Sequence, residues 1–179
     1  SNVPGKTAPV VAEHAFALML ATAKRVAFQT REIREGRWGS PAHNVYLHGK
    51  TLGVLGAGPT AAGMAALGRA IGMRVLAWTY HPSAERAAEM GVEFVAFETL
   101  LRESDVISLH LPLTAESRGI IGARELRTMK RGTLLVNTGR GPLVEDAALV
   151  AALDDGHLGG AGLDVYEREP LPLDSPILR

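Results

Sequence analysis

Five short stretches hold the residues best able to do chemistry: GAGPT (Gly56–Thr60), TYH (Thr79–His81), HLP (His110–Pro112), NTGRG (Asn137–Gly141) and DVYERE (Asp164–Glu169). In NTGRG, two glycines flank Arg140 and let the chain turn sharply around it. A guanidinium presents a planar fork that meets a carboxylate through two parallel hydrogen bonds, so this position suits a site for an organic acid. In the last stretch, Glu169 or Glu167 can stand beside an imidazole, favour its protonated form and so support a general acid. Asp164 can accept a hydrogen bond from an amide. GAGPT reads as a turn that aims free N–H groups and the positive end of a helix at an anion such as a pyrophosphate. Each stretch also has a plainer reading: a surface arginine, a solvated glutamate, a turn-capping aspartate, a steric glycine turn.

These stretches gain meaning from the elements that precede them. Lys50–Thr79 reads as strand, glycine turn, helix and strand without interruption, with apolar Leu52, Val54 and Leu55, a small-residue helix over Ala61–Ile71 and a second strand over Val75–Trp78. Such a context strengthens a glycine motif that is weak by itself. Further on, Ser83 caps a short helix to about Met90. Strands are predicted at Val92–Val95, Val106–Leu111, Thr133–Asn137 and Ala161–Val165, and helical segments at Phe97–Arg102, Glu125–Met129 and Leu143–Leu153. Near the start, Val11, Ala15, Leu18, Met19, Thr22 and Val26 keep the spacing of one helical face, which predicts a single long helix over 8–34. Before it lies an irregular lead-in with Pro4 and Gly5, and after it a connector over Gly36–Gly49. Strands alternating with helices predict an α/β fold with a doubly wound parallel sheet. In such a sheet ligands bind beyond the carboxyl ends of the strands, which is where all five stretches fall.

The totals narrow the partners. In 179 residues, 19 basic side chains balance 19 acidic ones, so no bulk field favours nucleic acid or an anionic membrane. Cysteine is absent, which excludes disulfides and thiol catalysis. The apolar run Ala15–Ala23 is far shorter than the roughly 20 residues of a membrane span. His43, His48, His81 and His157 share no metal-ligand spacing, so no metal is expected. His14 reads as a polar helix edge or a packed histidine, and His110, among Leu109, Leu111 and Leu113, as a packed residue donating to backbone. Thr79 ends the second strand, where NAD sites usually carry an acid for the ribose hydroxyls. A threonine there weakens the case for NAD, and the following Tyr80 and His81 offer no arginine for NADP.

Taken together, NVPGKTAPVVAEHAFALML, GKTLGVLGAGPTA, SDVISLHLPLT, LLVNTGRGPLVEDAALVAAL and GGAGLDVYEREPLP resemble the D-isomer-specific 2-hydroxyacid dehydrogenase family over essentially the whole chain. The resemblance implies a Rossmann-type NAD(P)-binding domain over 1–179. It implies an oxidoreductase that moves a hydride between NAD or NADP, with NAD slightly ahead, and C2 of a small 2-hydroxy or 2-oxo acid. It carries catalytic roles to Arg140 and Glu169, and selects Glu169 over Glu167. Cofactor contacts fall on Gly56, Gly58, Pro59, Thr60, Thr79, Leu111, Pro112, Ser117, Asn137, Thr138 and Asp164. It also implies a homodimer formed through the first helix, and a cytoplasmic protein.

Three features depart from the family pattern. Thr60 and Ala61 fill the last two places of the glycine motif, Thr79 replaces the acid, and the family's catalytic histidine is expected beyond Arg179. The family's substrate domain is also expected outside this chain, so that the chain alone binds cofactor weakly and turns over nothing. Two other readings remain: a nicotinamide-sensing corepressor-like protein on the same fold, and a different enzyme such as an alanine dehydrogenase type.

Overall fold

Strand β1 (Thr51–Leu55) lies at the centre of the sheet, and its apolar residues point both ways because both faces are covered. The computed structural model describes residues 7–38 and 44–178. The lead-in at Pro4 and Gly5, the part of the connector that holds Pro41 and His43, and Arg179 lie outside the described residues. Beyond α1 (Ala8–Ala23) and α2 (Val26–Arg34), the order is β1, α3 (Pro59–Ala70), β2 (Arg74–Trp78), α4 (Ala84–Met90), β3 (Glu93–Phe94), α5 (Phe97–Glu103), β4 (Val106–Leu109), α6 (Ala123–Thr128), β5 (Thr133–Asn137), α7 (Asp146–Asp154) and β6 (Leu158–Leu163). All pairings are parallel, and the spatial order is β3-β2-β1-β4-β5-β6. This is a doubly wound α/β sheet whose strand order reverses between β1 and β4.

Alternation along the strands feeds two cores. Leu52, Val54, Val106, Leu134 and Val136 meet Met19 of α1 and Met64 of α3 on one face. Leu55, Ile107, Leu109 and Leu135 meet Leu100, Leu126 and Leu149 of α5, α6 and α7 on the other. Small residues let α1 approach closely. A Cβ on Gly63 would lie 2.8 Å from the Ala12 Cβ, and one on Gly160 would lie 2.9 Å from Thr22 Cγ2.

Several expected boundaries move. The single helix predicted over 8–34 is two helices, because Arg25 takes a left-handed conformation at φ 50°. The connector causes the break: Val45 N–H donates to the Ala23 carbonyl at 2.8 Å, and Lys24 Nζ donates to the Val45 carbonyl at 2.9 Å. The Ala23 carbonyl is thereby drawn to a segment far along the chain. The helix predicted from Leu143 starts at Asp146, since Val144 is extended and bridges to Ile121. Strand β6 begins at Leu158, three residues before the prediction, because Gly159 and Gly160 serve as strand rather than turn, with a register shift against Thr133/Leu134. It ends at Leu163, short of the predicted Val165. Ser83 caps α4 as expected, its Oγ accepting from Arg86 N–H at 3.2 Å. Among the described residues no helix is long and apolar enough to cross a membrane.

Candidate functional site

The carboxyl ends of four strands are locked to one another by close backbone contacts, and this row carries most of the predicted residues. Gly56 leaves β1 at φ 121°, and a Cβ there would sit 2.7 Å from the His110 carbonyl oxygen. Only glycine combines that conformation with that approach. Gly139, after β5, lies against the Leu111 carbonyl. A Cβ on Gly141 would overlap the carbonyl of Tyr166, in the segment after β6. The turns after β1, β4, β5 and β6 thus form one continuous edge.

At the β1 end, Gly58 caps α3, Pro59 fills the first helical position, and no side chain caps the helix. The N–H groups of Thr60 and Ala61 find no acceptor among the described residues. A Cβ on Gly58 would meet nothing within 4 Å, so the space before this helix end is open. Unpaired N–H groups and the helix dipole suit an anion there.

The NTGRG loop is shaped by its own first residue. Asn137 is buried; its Nδ2 donates to the Arg140 carbonyl at 2.9 Å and its Oδ1 accepts from Gly139 N–H at 3.0 Å. Its side chain therefore holds the loop rather than facing solvent. Arg140 is exposed, with Nη1 donating to the Gly139 carbonyl at 2.7 Å, and among the described residues the rest of its fork has no partner. Ser117 behaves like Asn137: it is buried, its Oγ donates to the Pro112 carbonyl at 2.7 Å and accepts from Thr114 N–H at 2.8 Å. Its hydroxyl is spent fixing the loop that presents Leu111, which is buried, and Pro112, which is exposed.

After β6, the Asp164 backbone N–H donates to the Asn137 carbonyl at 3.0 Å, and its carboxylate Oδ1 lies 3.2 Å from Nε2 of His14 on α1. Glu169 is exposed and its Oε1 accepts from Tyr166 N–H at 3.0 Å. Glu167 stands elsewhere: burial, and then the Glu167 charge, push the Asp146 carboxyl up, which sets Glu167 beside the start of α7. The two glutamates that the residues alone left as alternatives thus have different neighbours.

At the β2 end, Thr79 lines an open cleft of about 450 Å³ with Trp78, Tyr80, Pro82, Phe94, Val95 and Ala96. Trp78 packs edge-on to Tyr80 at 4.7 Å and against Phe97 at 4.9 Å. The cleft is mostly apolar with no charged lining residue. This aromatic wall lies beyond what residue-by-residue reading of the strand ends gives, because Phe97 reaches it from another element.

Two buried polar atoms on this edge lack partners among the described residues: His110 Nδ1 and Thr138 Oγ1. His110 and Thr138 directly follow Leu109 and Asn137, which pair at the ends of β4 and β5. His110 Nε2 shares a 2.9 Å hydrogen bond with Ser108 Oγ, and burial pushes its imidazole down to about 4. It is packed as expected, but its partner is the Ser108 hydroxyl rather than backbone, and Nδ1 finds none among the described residues. Because the folded value lies below the unfolded value near 6.5, the unfolded chain takes up this proton first as pH falls. Stability from this group is complete above about pH 6.5 and is lost on acidification towards pH 4, by roughly 3 kcal/mol in all. Urea unfolding at about pH 7.5 and about pH 4.5 is expected to reveal a loss that His110→Gln removes; an equal loss in the variant would assign it to other groups.

The open helix end, the orphaned Thr138 hydroxyl and the apolar cleft together fit a dinucleotide, with an anion at α3 and an aromatic base beside Trp78. Among the described residues no cluster of three or more His, Cys, Asp or Glu suits a metal. Fold and site thus define a doubly wound dinucleotide-binding domain. The chain belongs to the family described as D-isomer specific 2-hydroxyacid dehydrogenase, NAD binding domain, which matches residues 16–179.

It is 44% identical to a glyoxylate reductase of Korarchaeum cryptofilum over 187 residues, covering 100% of this chain and 55% of that one. It is 43% identical to a D-3-phosphoglycerate dehydrogenase of Archaeoglobus fulgidus, covering 99% and 34%. Among solved structures, a glyoxylate reductase from Paecilomyes thermophila superimposes with a TM-score of 0.90 at 37% identity, covering 98% and 53%. A D-lactate dehydrogenase from Aquifex aeolicus, complexed with NAD and lactic acid, gives 0.88 at 33%, covering 98% and 57%. The chain spans about half the length of the glyoxylate reductases it matches.

Proposed function

We propose that this chain is the cofactor-binding part of a dehydrogenase that moves a hydride between NAD(P) and C2 of a small 2-oxo or 2-hydroxy acid of the D series. The observation that carries the reading is the convergence on one strand edge of the open α3 end and the Arg140 loop, which Gly141 seats on the Tyr166 backbone. A bound nicotinamide supplies or accepts the hydride. The chain's own residues do the rest.

The Gly56–Thr60 turn receives the pyrophosphate with backbone N–H groups and the α3 dipole. Thr79 and the Trp78 cleft take the adenosine end. Leu111, Pro112 and Thr138 border the nicotinamide, and Asp164 accepts from its carboxamide. Arg140 grips the substrate carboxylate with the free part of its fork and polarises the carbonyl. Glu169 holds the imidazole of a histidine outside this chain in its protonated form, ready to donate to the forming alkoxide.

NAD is the better fit. The cleft lining carries no cation for a 2′-phosphate, and the Glu116 charge acts on Tyr80 after burial in pushing its phenol up. The enzyme works as a homodimer joined through the α1–α2 face, where Val10, Val26 and Ile33 are exposed, and it resides in the cytoplasm.

Titrating the chain with NADH and NADPH side by side, by nicotinamide fluorescence, tests the cofactor reading. Saturable binding of NADH, at least about 10-fold tighter than NADPH, is expected, a gap of about 1.4 kcal/mol. Binding of neither up to millimolar concentration overturns it. A screen of the intact enzyme with glyoxylate, pyruvate and hydroxypyruvate tests the reaction; no cofactor oxidation with any of them or with related 2-oxo acids overturns that part.

A further inference from the structure

We propose that His14 is a positioning residue for the nicotinamide site: it holds one carboxylate oxygen of Asp164 and so aims the other at the carboxamide. The inference rests on the carboxamide role proposed above for Asp164.

The register of α1 against β6 makes the contact. A Cβ on Gly160 would meet Thr22, and one on Gly162 would meet Thr22 Oγ1 at 3.0 Å and Leu18 Cβ at 3.1 Å. Thr22, Leu18 and His14 are spaced four apart and lie along one stripe of the helix. Each step of four advances roughly 6 Å along α1, and each two residues advance roughly 6.6 Å along a strand. Two steps from Gly160 through Gly162 therefore bring Asp164 to His14, and the observed separation of Nε2 from Oδ1 is 3.2 Å. Glycines at 160 and 162 are what let the helix lie close enough for this match.

The chemistry suits the role. A carboxylate has about four lone-pair directions. With Oδ1 occupied by the ring and the Asp164 backbone N–H held by the Asn137 carbonyl, rotation of the carboxylate is restricted while Oδ2 stays available. Both side chains are about half exposed, at 49% and 51%, so a ligand can reach the pair. Nε2 stands 3.2 Å from Oδ1 and faces it as an ion-pair partner when the ring carries its second proton.

The test compares the chain with His14→Leu and His14→Gln in fluorescence titrations with NADH and with reduced 3-acetylpyridine adenine dinucleotide. That analogue carries a methyl ketone in place of the carboxamide and has no N–H to give Asp164. The unsubstituted chain is expected to prefer NADH. His14→Leu should weaken NADH about 5- to 10-fold, the scale of one ordinary hydrogen bond, and leave the analogue unchanged; His14→Gln, which can still donate, should restore most of the preference. A residue that merely props α1 would weaken both ligands alike, and that outcome, or no change in either, overturns the inference. If the unsubstituted chain binds both ligands equally, the carboxamide role of Asp164 fails and this inference fails with it. If its preference persists in His14→Leu, only the role of His14 fails.

Discussion

Replacing Arg140 by Ala in the intact enzyme is expected to lower kcat/KM by about 10³-fold or more while leaving NADH affinity and the melting midpoint nearly unchanged. The separation follows from which atoms do what. The loop is held by the Asn137 side chain, which bonds the Arg140 carbonyl and the Gly139 N–H, and by Gly141 against Tyr166. None of these uses the Arg140 side chain, whose one contact in the loop is from Nη1 to the Gly139 carbonyl. Truncating an exposed side chain of this kind costs about 0.5 kcal/mol or less in stability. On the proposed role of Arg140, what is lost is a charged fork facing a carboxylate and a developing oxyanion, and removing one such donor costs about 10²–10³ in rate before the binding loss is counted. Arg140→Lys keeps the charge but not the paired geometry, and should recover only a small part. Steady-state kinetics with a 2-oxo acid, together with an NADH titration, check both halves; kcat/KM within about threefold of the unsubstituted enzyme would remove Arg140 from the mechanism.

The parts of this site that lie at the ends of regular elements were legible in the sequence, because alternation along a strand and a glycine at its end are local patterns. That covers the Gly56–Thr60 turn, the Asn137–Gly141 loop and the alternation of strands and helices that implies a doubly wound sheet; the spatial order of the strands comes from the structure. Features made by contact across the chain were not legible. No glycine or proline marks the break at Arg25; it forms because Val45 takes the Ala23 carbonyl, and the two are 22 residues apart. The sequence prediction starts β6 at Ala161, yet Gly159 and Gly160 serve as strand, where a Cβ on Gly159 would meet the Gly132 carbonyl at 2.5 Å and one on Gly160 would meet Thr22 of α1 at 2.9 Å.

The same limit applies to individual roles. Asn137 and Ser117 carry polar groups suited to a ligand, and only the fold reveals that both are buried and spent on their own loops. From the sequence, His14 reads as a polar helix edge or a packed histidine, since its nearness to Asp164 depends on the register of α1 on β6.

Gly141→Ala is expected to be the most damaging small substitution at the site, lowering stability by about 3 kcal/mol or more and abolishing activity beyond that loss. A methyl group there would overlap the Tyr166 carbonyl and lie 2.5 Å from the Glu167 nitrogen. The obstacle is backbone, which cannot rotate away as a side chain can, so either the Arg140 loop or the segment carrying Glu169 must shift; overpacking of this kind costs typically 1–3 kcal/mol even where neighbours can give. Because Arg140 and Glu169 sit on the two sides of that contact, the shift changes their separation, and reactivity is sensitive to displacements of about 1 Å. Gly58→Ala gives the opposite pattern. Its Cβ would meet no protein atom within 4 Å, so stability should fall by no more than about 1 kcal/mol, the scale of a cap change. The same methyl would intrude on the space before α3, where the N–H groups of Thr60 and Ala61 are unpaired, and should weaken NADH at least about 10-fold, some 1.4 kcal/mol. Thermal unfolding and NADH titration of the two variants side by side test the proposed division, in which Gly141 joins two halves of the catalytic edge and Gly58 keeps a place open for an anion. A Gly58→Ala protein that binds NADH normally would mean that the pyrophosphate does not sit at the end of α3.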